Sequence, residues 1–455
     1  MTQKDSPVAA SYLLHRTVRD RPDLAVSGEG LWLTLEDGRK VIDASGGAAV
    51  ACLGHGNRRV ADAIGKQAAK LAYVHTGFFT SEPAEQLAEL LLADKPGALS
   101  RAFFVSSGSE AMEGALKLAR QYFVELGQPN RTRFISRRQS YHGNTLGALA
   151  SGGNHARRIP YEPILSSVFS HVSPCFPYHY RGAGESDQVY VARLETELEA
   201  EFQRLGPENV IAFCAEPVVG ATAGCVTALP GYFPAVRRVC DRHGALLILD
   251  EVMCGMGRTG TTHAWEQEGV TPDIQTIGKG LGGGYQPIAG ILVAERVVSA
   301  LSAGSGSFVH GHTYQAHPIA CLAALEVQRI IGEQELLANV RAMGRLLEER
   351  LRERFATHPN VGDIRGRGLF FALEFVEDRA ARRPFESRLQ IHEQIKRRAL
   401  ANGVAIYPTG GSVDGMHGDH LLVAPPYTCE RSELDLIVER LHKAVTEVFE
   451  EQGRG

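Results

Sequence analysis

The feature that most constrains this chain is a short apolar run, Ala245-Leu246-Leu247-Ile248-Leu249, that ends abruptly in Asp250-Glu251-Val252. A strand with one wet face alternates apolar and polar residues, because successive side chains point to opposite sides. Nothing alternates here, so the run is expected to be buried on both faces, as strands inside a parallel sheet are. Strands that alternate with helices along the chain argue the same mostly parallel, helix-covered sheet. In open α/β sheets, ligands bind beyond the carboxyl ends of the strands. Asp250 stands at such an end, so its carboxylate is expected to face a crevice.

Lys279 follows 29 residues later, within Thr276-Ile277-Gly278-Lys279-Gly280-Leu281-Gly282-Gly283-Gly284. The glycines leave its ammonium group uncrowded. A lysine held in a cavity has its pKa lowered enough to act as nucleophile, Schiff-base former or general base. An Asp that pairs a pyridinium nitrogen and a Lys that forms a Schiff base are what pyridoxal phosphate requires of a protein. Taken singly, each residue has a plainer reading: a turn-forming acid at a strand end, and an exposed lysine in a loop. Read with the flanking motifs, the pair favours the cofactor.

Those motifs sit at the ends of other expected strands. Arg101-Ala102-Phe103-Phe104-Val105 runs into Ser106-Ser107-Gly108-Ser109-Glu110 and then into a helix, whose apolar positions Ala111, Ala115, Leu118 and Tyr122 recur at helical spacing. Free backbone N–H groups and the macrodipole favour an anion at a helix start, by roughly 0.3–2 kcal/mol, and Ser107 and Ser109 add hydroxyls. A capping box of Ser107 with Glu110 accounts for the same residues without any ligand. Thr132–Ser136 reads as a strand followed by Ser140-Tyr141-His142-Gly143-Asn144-Thr145, where Tyr141 is placed to stack on a flat ring or to join the core. Asn209–Val218 is a further strand, with Glu216 near its end, and Tyr232–His243 is a helix stopped by Gly244.

Other motifs carry less. Gly255-Met256-Gly257-Arg258-Thr259-Gly260 and Gly278–Gly283 both fit G-x-G-x-x-G. The first lacks a following helix-then-strand unit and has an acid on the preceding strand end, so neither is a good dinucleotide fingerprint. His310 and His312 lack a further ligand set at a recognised spacing, so no metal is expected. Thr313, before a helix at Ile319–Ile331, is a second candidate phosphate contact. Phe78 and Phe79 are candidates for a pocket wall or for plain core, and the small residues Ser45–Asn57 for close backbone packing or for ligand room.

The net charge of −4 gives no general electrostatic case for nucleic acid or an anionic membrane, and the pairs Arg137-Arg138 and Arg157-Arg158 read as solvated surface or salt bridges. Eight cysteines without a C-x-x-C pair read as reduced, partly buried thiols. No leader pattern and no membrane-length apolar run is present, so a cytoplasmic protein is expected.

Residues 1–60 read as an N-terminal arm, helical near Tyr12–Val18, together with part of a small domain that includes a hairpin at Leu31–Asp43. Residues 61–331 read as the large domain, with helices at Val60–Leu71 and Pro83–Leu92 and a long irregular excursion at 151–190. Residues 332–455 read as a smaller α+β domain, with Arg- and Glu-rich helices at Glu335–Arg354 and Leu389–Ala401 around strands at Gly362–Val376 and Gly403–Tyr407.

With Ser107-Gly108-Ser109, Tyr141-His142-Gly143, Glu216-Pro217, Asp250-Glu251-Val252, Lys279 and Thr313 in this order, the chain resembles the class III (omega) aminotransferases, pyridoxal-phosphate enzymes of fold type I, from about residue 30 to 450. The resemblance implies that Lys279 holds the cofactor covalently and shuttles the substrate proton, and that Asp250 pairs with the pyridinium nitrogen. It implies that Ser107, Gly108 and Ser109 bind the phosphate, with Thr313 reaching in from the other subunit. It places Tyr141, with His142 and Gly143, against one face of the ring, Val252 against the other, and Glu216 on the substrate side. It further implies small-molecule partners, an amine or omega-amino acid and a keto acid such as pyruvate, and a homodimer or a tetramer of dimers with shared active sites. A lyase, racemase or decarboxylase on the same fold is the alternative.

One departure stands out. Many such enzymes carry an arginine shortly before the segment matching Gly418-Asp419-His420, and here Asp414-Gly415-Met416-His417 stands instead. Carboxylate binding then falls to His417 or to an arginine from elsewhere. Ala48-Ala49 matches a region where relatives place a large aromatic, so Ala49 marks a roomier substrate pocket.

Overall fold

The computed structural model describes residues 11–18, 21–94 and 96–453. Near the amino terminus, β1 (Ala25–Glu29), β2 (Trp32–Leu35) and β3 (Lys40–Asp43) form an antiparallel sheet. β2 and β3 are the expected hairpin; the Asp37 carboxylate accepts the Arg39 amide at 3.0 Å inside its turn.

The large sheet takes β4 (Leu99–Val105), β5 (Arg133–Arg137), β6 (Phe169–Val172) and β7 (Val210–Ala215). After a small hairpin of β8 (Val218–Val219) and β9 (Val226–Thr227), it takes β10 (Leu246–Asp250), β11 (Ile274–Ile277) and β12 (Ala289–Ala294). These seven strands lie in the order β4-β12-β11-β10-β7-β5-β6. From β11 to β6 every pairing is parallel, while β12 runs antiparallel to both β11 and β4. This is the expected α/β architecture.

The central strand shows why its sequence has no polar alternation. Leu246 and Ile248 pack on one face with Ala111, Ala115 and Leu118 of the Gly108–Glu125 helix. Leu247 and Leu249 pack on the other with Tyr232, Val236 and Val239 of the Tyr232–Arg242 helix. Both faces are therefore core. Burying each such side chain is worth about 1.5–3 kcal/mol, so a charge placed in this run is disfavoured on either face.

The carboxyl-terminal part adds β13 (Val361–Gly366), β14 (Phe371–Phe375), β15 (Val404–Ala405), β16 (Tyr407–Gly410) and β17 (Asp419–Val423). Four of them form an antiparallel sheet in the order β13-β14-β17-β16. β15 instead pairs in parallel with β3, so the two ends of the chain share a sheet. One apolar core unites them, from Leu31 and Ile42 to Leu441 and Phe449.

Three expectations need correction. Residues 11–18 hold no helix, because Tyr12, Leu13, Leu14 and Val18 are exposed and find no face to pack against; isolated short helices are marginal in water. The stretch 151–190 is not wholly irregular, since it contains β6, the sheet's edge strand. That strand is held by a cross-strand stack of Phe169 on Phe134, with centroids 5.3 Å apart, a contact between residues distant in sequence. Arg137 is not on the surface at all: it is fully buried, and its guanidinium donates to the Glu216 carbonyl at 2.5 Å.

All eight cysteines are free and buried, the thiols expected from the sequence. Among the described residues no helix is long and apolar enough to cross a membrane.

Candidate active site

A cleft of about 370 Å³ opens along one edge of the large sheet. Five strands deliver residues to it at their carboxyl ends. β4 leads to Ser106–Ser109, β5 to Tyr141–Gly143 and β7 to Glu216; β10 ends at Asp250, and β11 leads to Lys279. β12 runs the other way, so its amino-terminal approach, Gln286-Pro287-Ile288, meets the same edge. Parallel topology thus gathers groups spread over more than a hundred residues, as the rule for open α/β sheets requires.

Asp250 is the most fully engaged of these groups. Its Oδ1 accepts the Thr276 hydroxyl at 2.8 Å and the Val252 amide at 3.1 Å. Its Oδ2 lies 2.8 Å from His142 Nδ1. An ionised carboxylate can only accept, so the shared proton sits on Nδ1. Burial alone raises a carboxyl pKa, but the His142 hydrogen bond and the Val252 and Thr276 donors outweigh it and hold Asp250 below its ordinary value. Asp250 is therefore a fixed negative charge at the floor of the cleft.

Lys279 stands in the left-handed backbone region, φ 45°, at the first residue of a single helical turn. Desolvation pulls its ammonium below the usual lysine pKa, while the nearby charges of Asp250 and Glu216 pull in the opposite direction. Its side chain makes no ion pair or hydrogen bond among the described residues, which leaves the amine free to react. Glu216 accepts the Tyr141 amide and the Gly220 amide, each at 3.0 Å, and burial raises its carboxyl. Glu251, the neighbour of Asp250, points elsewhere. It accepts the Ala264 and Trp265 amides at 2.7 Å, burial pushes it up to about 8, and it anchors the loop after β10.

The opposite wall is a helix start of the kind that suits an anion. The Gly108–Glu125 helix begins here, and its first amides have no intrahelical acceptor. Ser107 caps it, accepting the Glu110 amide at 3.3 Å, and Glu110 reaches back to the Ser106 amide at 2.8 Å. The capping reading of Ser107 and Glu110 is thus satisfied beside the free amides rather than in place of them. Val252 packs against this start: a Cβ on Gly108 would sit 2.8 Å from Val252 Cγ1. Gly143 is needed for a similar reason. Its φ is 136°, and a Cβ there would stand 2.6 Å from Ser109 Oγ, which also accepts the Asn144 amide at 3.0 Å. Gly143→Ala is expected to cost about 1–3 kcal/mol of strain and to displace Ser109. A lowered melting temperature together with an approximately 10-fold weaker hold on an anionic ligand, read by titration, checks this.

The other candidates lie elsewhere. Phe78 and Phe79 are 81% and 64% exposed and do not line this cleft. Phe79 instead borders a separate hollow with Thr80 and Gln315. Thr313 is exposed, in the loop before the Pro318–Glu333 helix, and also stands outside the cleft of its own chain. His417 is exposed and pairs with Asp414 at 2.8 Å. Ala49 lies one layer behind the wall, in an apolar cluster with partly buried Met253 and Tyr407, while its neighbour Val50 lines the cleft. Met253 and Gln286–Ile288 are lining residues that no sequence motif marks, whereas Val50 and Gly284 fall within the small-residue and glycine-rich stretches. Thr276, which holds Asp250, was legible only as the start of the glycine-rich motif.

The donor set suits pyridoxal phosphate. A helix start with two serines faces an ionised carboxylate and an unpaired lysine amine, with Tyr141 and Val252 on the walls between them.

Comparison with known proteins agrees with this geometry. The family model for class-III aminotransferases matches residues 16–445. An uncharacterised aminotransferase of Schizosaccharomyces pombe is 51% identical over 445 residues, covering 98% of this chain and 97% of the relative. A diaminobutyrate–2-oxoglutarate transaminase of Halomonas elongata is 35% identical, covering 97% and 94%. The structure of an omega transaminase from Pseudomonas jessenii in complex with PMP superposes with a TM-score of 0.90 at 33% identity, covering 95% and 94%. A shared family model along nearly the whole chain, half-identity to a named aminotransferase and a common fold leave one conclusion: this chain belongs to the class III aminotransferases.

Proposed function

We propose that the protein is a pyridoxal-phosphate enzyme that moves an amino group from an amine or omega-amino acid to a keto acid such as pyruvate. The observation that carries this reading is the meeting of Asp250, ionised and held by His142, with the unpaired amine of Lys279 in one cleft. Pyridoxal phosphate, when bound, supplies an electron sink that makes the substrate Cα–H bond acidic.

The chain's own residues do the rest. The Gly108 and Ser109 amides and the serine hydroxyls hold the phosphate. Asp250 keeps a proton on the ring nitrogen, and a charge-assisted hydrogen bond of that kind is worth about 1.5–3 kcal/mol. Thr276 and His142 keep Asp250 in place. Tyr141 and Val252 confine the ring from its two faces. Lys279 would hold the cofactor through its amine and, as a free amine, would move the proton at the substrate carbon. Its lowered pKa favours the free amine. Thr313, exposed and outside its own chain's cleft, is proposed to contact the phosphate of a second copy, which makes the working unit a homodimer. The Halomonas relative's name pairs an amino acid with a keto acid, and both of those substrates carry carboxylates.

Visible absorption tests the reading. The purified protein is expected to be yellow and to bleach when an amine donor is added without keto acid; pyruvate then restores the band. Consumption of the amine without pyruvate, and with no bleached form, would instead mark a lyase, racemase or decarboxylase. No band even after pyridoxal phosphate is added would refute the cofactor.

A further inference from the structure

We infer that Arg157 reads the carboxylate of the substrate; this rests on the proposed aminotransferase reading. The cleft holds two carboxyl groups, Asp250 and Glu216, but among the described residues its lining offers no lysine or arginine except Lys279, which chemistry occupies. A carboxylate-bearing substrate therefore needs a positive group brought to the wall from outside the lining.

Arg157 is placed to supply it. Its guanidinium carbon lies 5.1 Å from the ring centroid of Tyr141, a cleft wall. Its Nη1 donates to Asn144 Oδ1 at 3.3 Å, and Asn144 Nδ2 donates to the Tyr141 hydroxyl at 3.2 Å. Guanidinium, carboxamide and phenol thus form one polar patch beside the wall. Arg157 is partly exposed and has no carboxylate partner among the described residues, whereas its neighbour Arg158 pairs with Glu162 at 3.3 Å. Its five N–H donors are not exhausted by the bond to Asn144 and the contact with Tyr141. Both contacts that hold it are weak and exchangeable, so a carboxylate in the cleft can replace Asn144 as acceptor in a bidentate pair. The turn that carries it is backed by the 411–418 loop: a Cβ on Gly415 would stand 2.8 Å from His155 Cβ. That loop contributes no rival, since His417 is already paired with Asp414.

The test separates carboxylate recognition from fold and from chemistry. Holoenzyme, Arg157→Leu and Arg157→Lys are compared for kcat/KM with β-alanine and with 1-phenylethylamine, which has no carboxylate. Binding of propionate, which cannot react, is followed by calorimetry. Arg157→Leu is expected to lower the ratio of the two kcat/KM values by about 10- to 100-fold and to weaken propionate binding by a similar factor, with partial rescue in Arg157→Lys. An equal loss with both amines, or unchanged propionate binding, overturns the assignment. Propionate binding that depends on Arg157 in a protein that transaminates nothing would uphold this inference while refuting the proposed reaction.

Discussion

Lys279→Ala is expected to abolish covalent retention of pyridoxal phosphate and to lower turnover by about 10⁴-fold or more. A methyl group neither forms the Schiff base nor carries the proton. No other amine lines the cleft, so nothing on hand replaces it. The fold should survive, because the Lys279 side chain makes no ion pair or hydrogen bond among the described residues, and alanine meets the positive φ of 45° on the same terms. Mass spectrometry after borohydride reduction reads the result directly. A variant that still carries the reduced cofactor at this position's peptide, or at wild-type stoichiometry, would show that another residue is the point of attachment.

Asp250→Ala should behave differently. Loss of one preorganised charge at the reacting system costs about 10²–10³-fold in turnover. The proposed phosphate cradle at Ser107–Ser109 is untouched, so cofactor retention should fall by less than turnover does. The substitution also strips the acceptor from His142, Thr276 and the Val252 amide, at about 1–3 kcal/mol for each buried donor left unpaired. Near-normal rates would remove Asp250 from the role of pyridinium partner.

Asp250→Asn isolates the charge. Asp250 raises the Lys279 pKa against the pull of desolvation, so removing its charge should lower that pKa further. Capture of added cofactor by the cofactor-free protein rises with pH as Lys279 loses its proton. The rising limb should therefore shift to lower pH in Asp250→Asn, and a shift upward contradicts the coupling. Stability follows the opposite limb of the pH scale. Because the folded pKa of Asp250 lies below its ordinary value, its ionised form stabilises the fold above the ordinary carboxylate range. That contribution is lost as pH falls through the folded value.

What the sequence determined alone was the local chemistry. The apolar run at Leu246–Leu249 demanded two buried faces, and clusters from the Gly108–Glu125 and Tyr232–Arg242 helices cover them. The Ser107–Ser109, Tyr141–Gly143, Glu216 and Asp250 motifs were visible because each falls at or near the end of a predicted strand, and Lys279 because glycines surround it; parallel topology brings them all to one edge. Tertiary structure alone decided the rest, because the deciding contacts join residues far apart in the chain. Nothing near Phe169 announces the strand that Phe134 stabilises. Arg137 and Arg157 look alike as members of short basic pairs, yet one is sealed beneath Glu216 and the other rests on Tyr141. A guanidinium's task depends on its acceptor and its access to water, and the fold alone sets both.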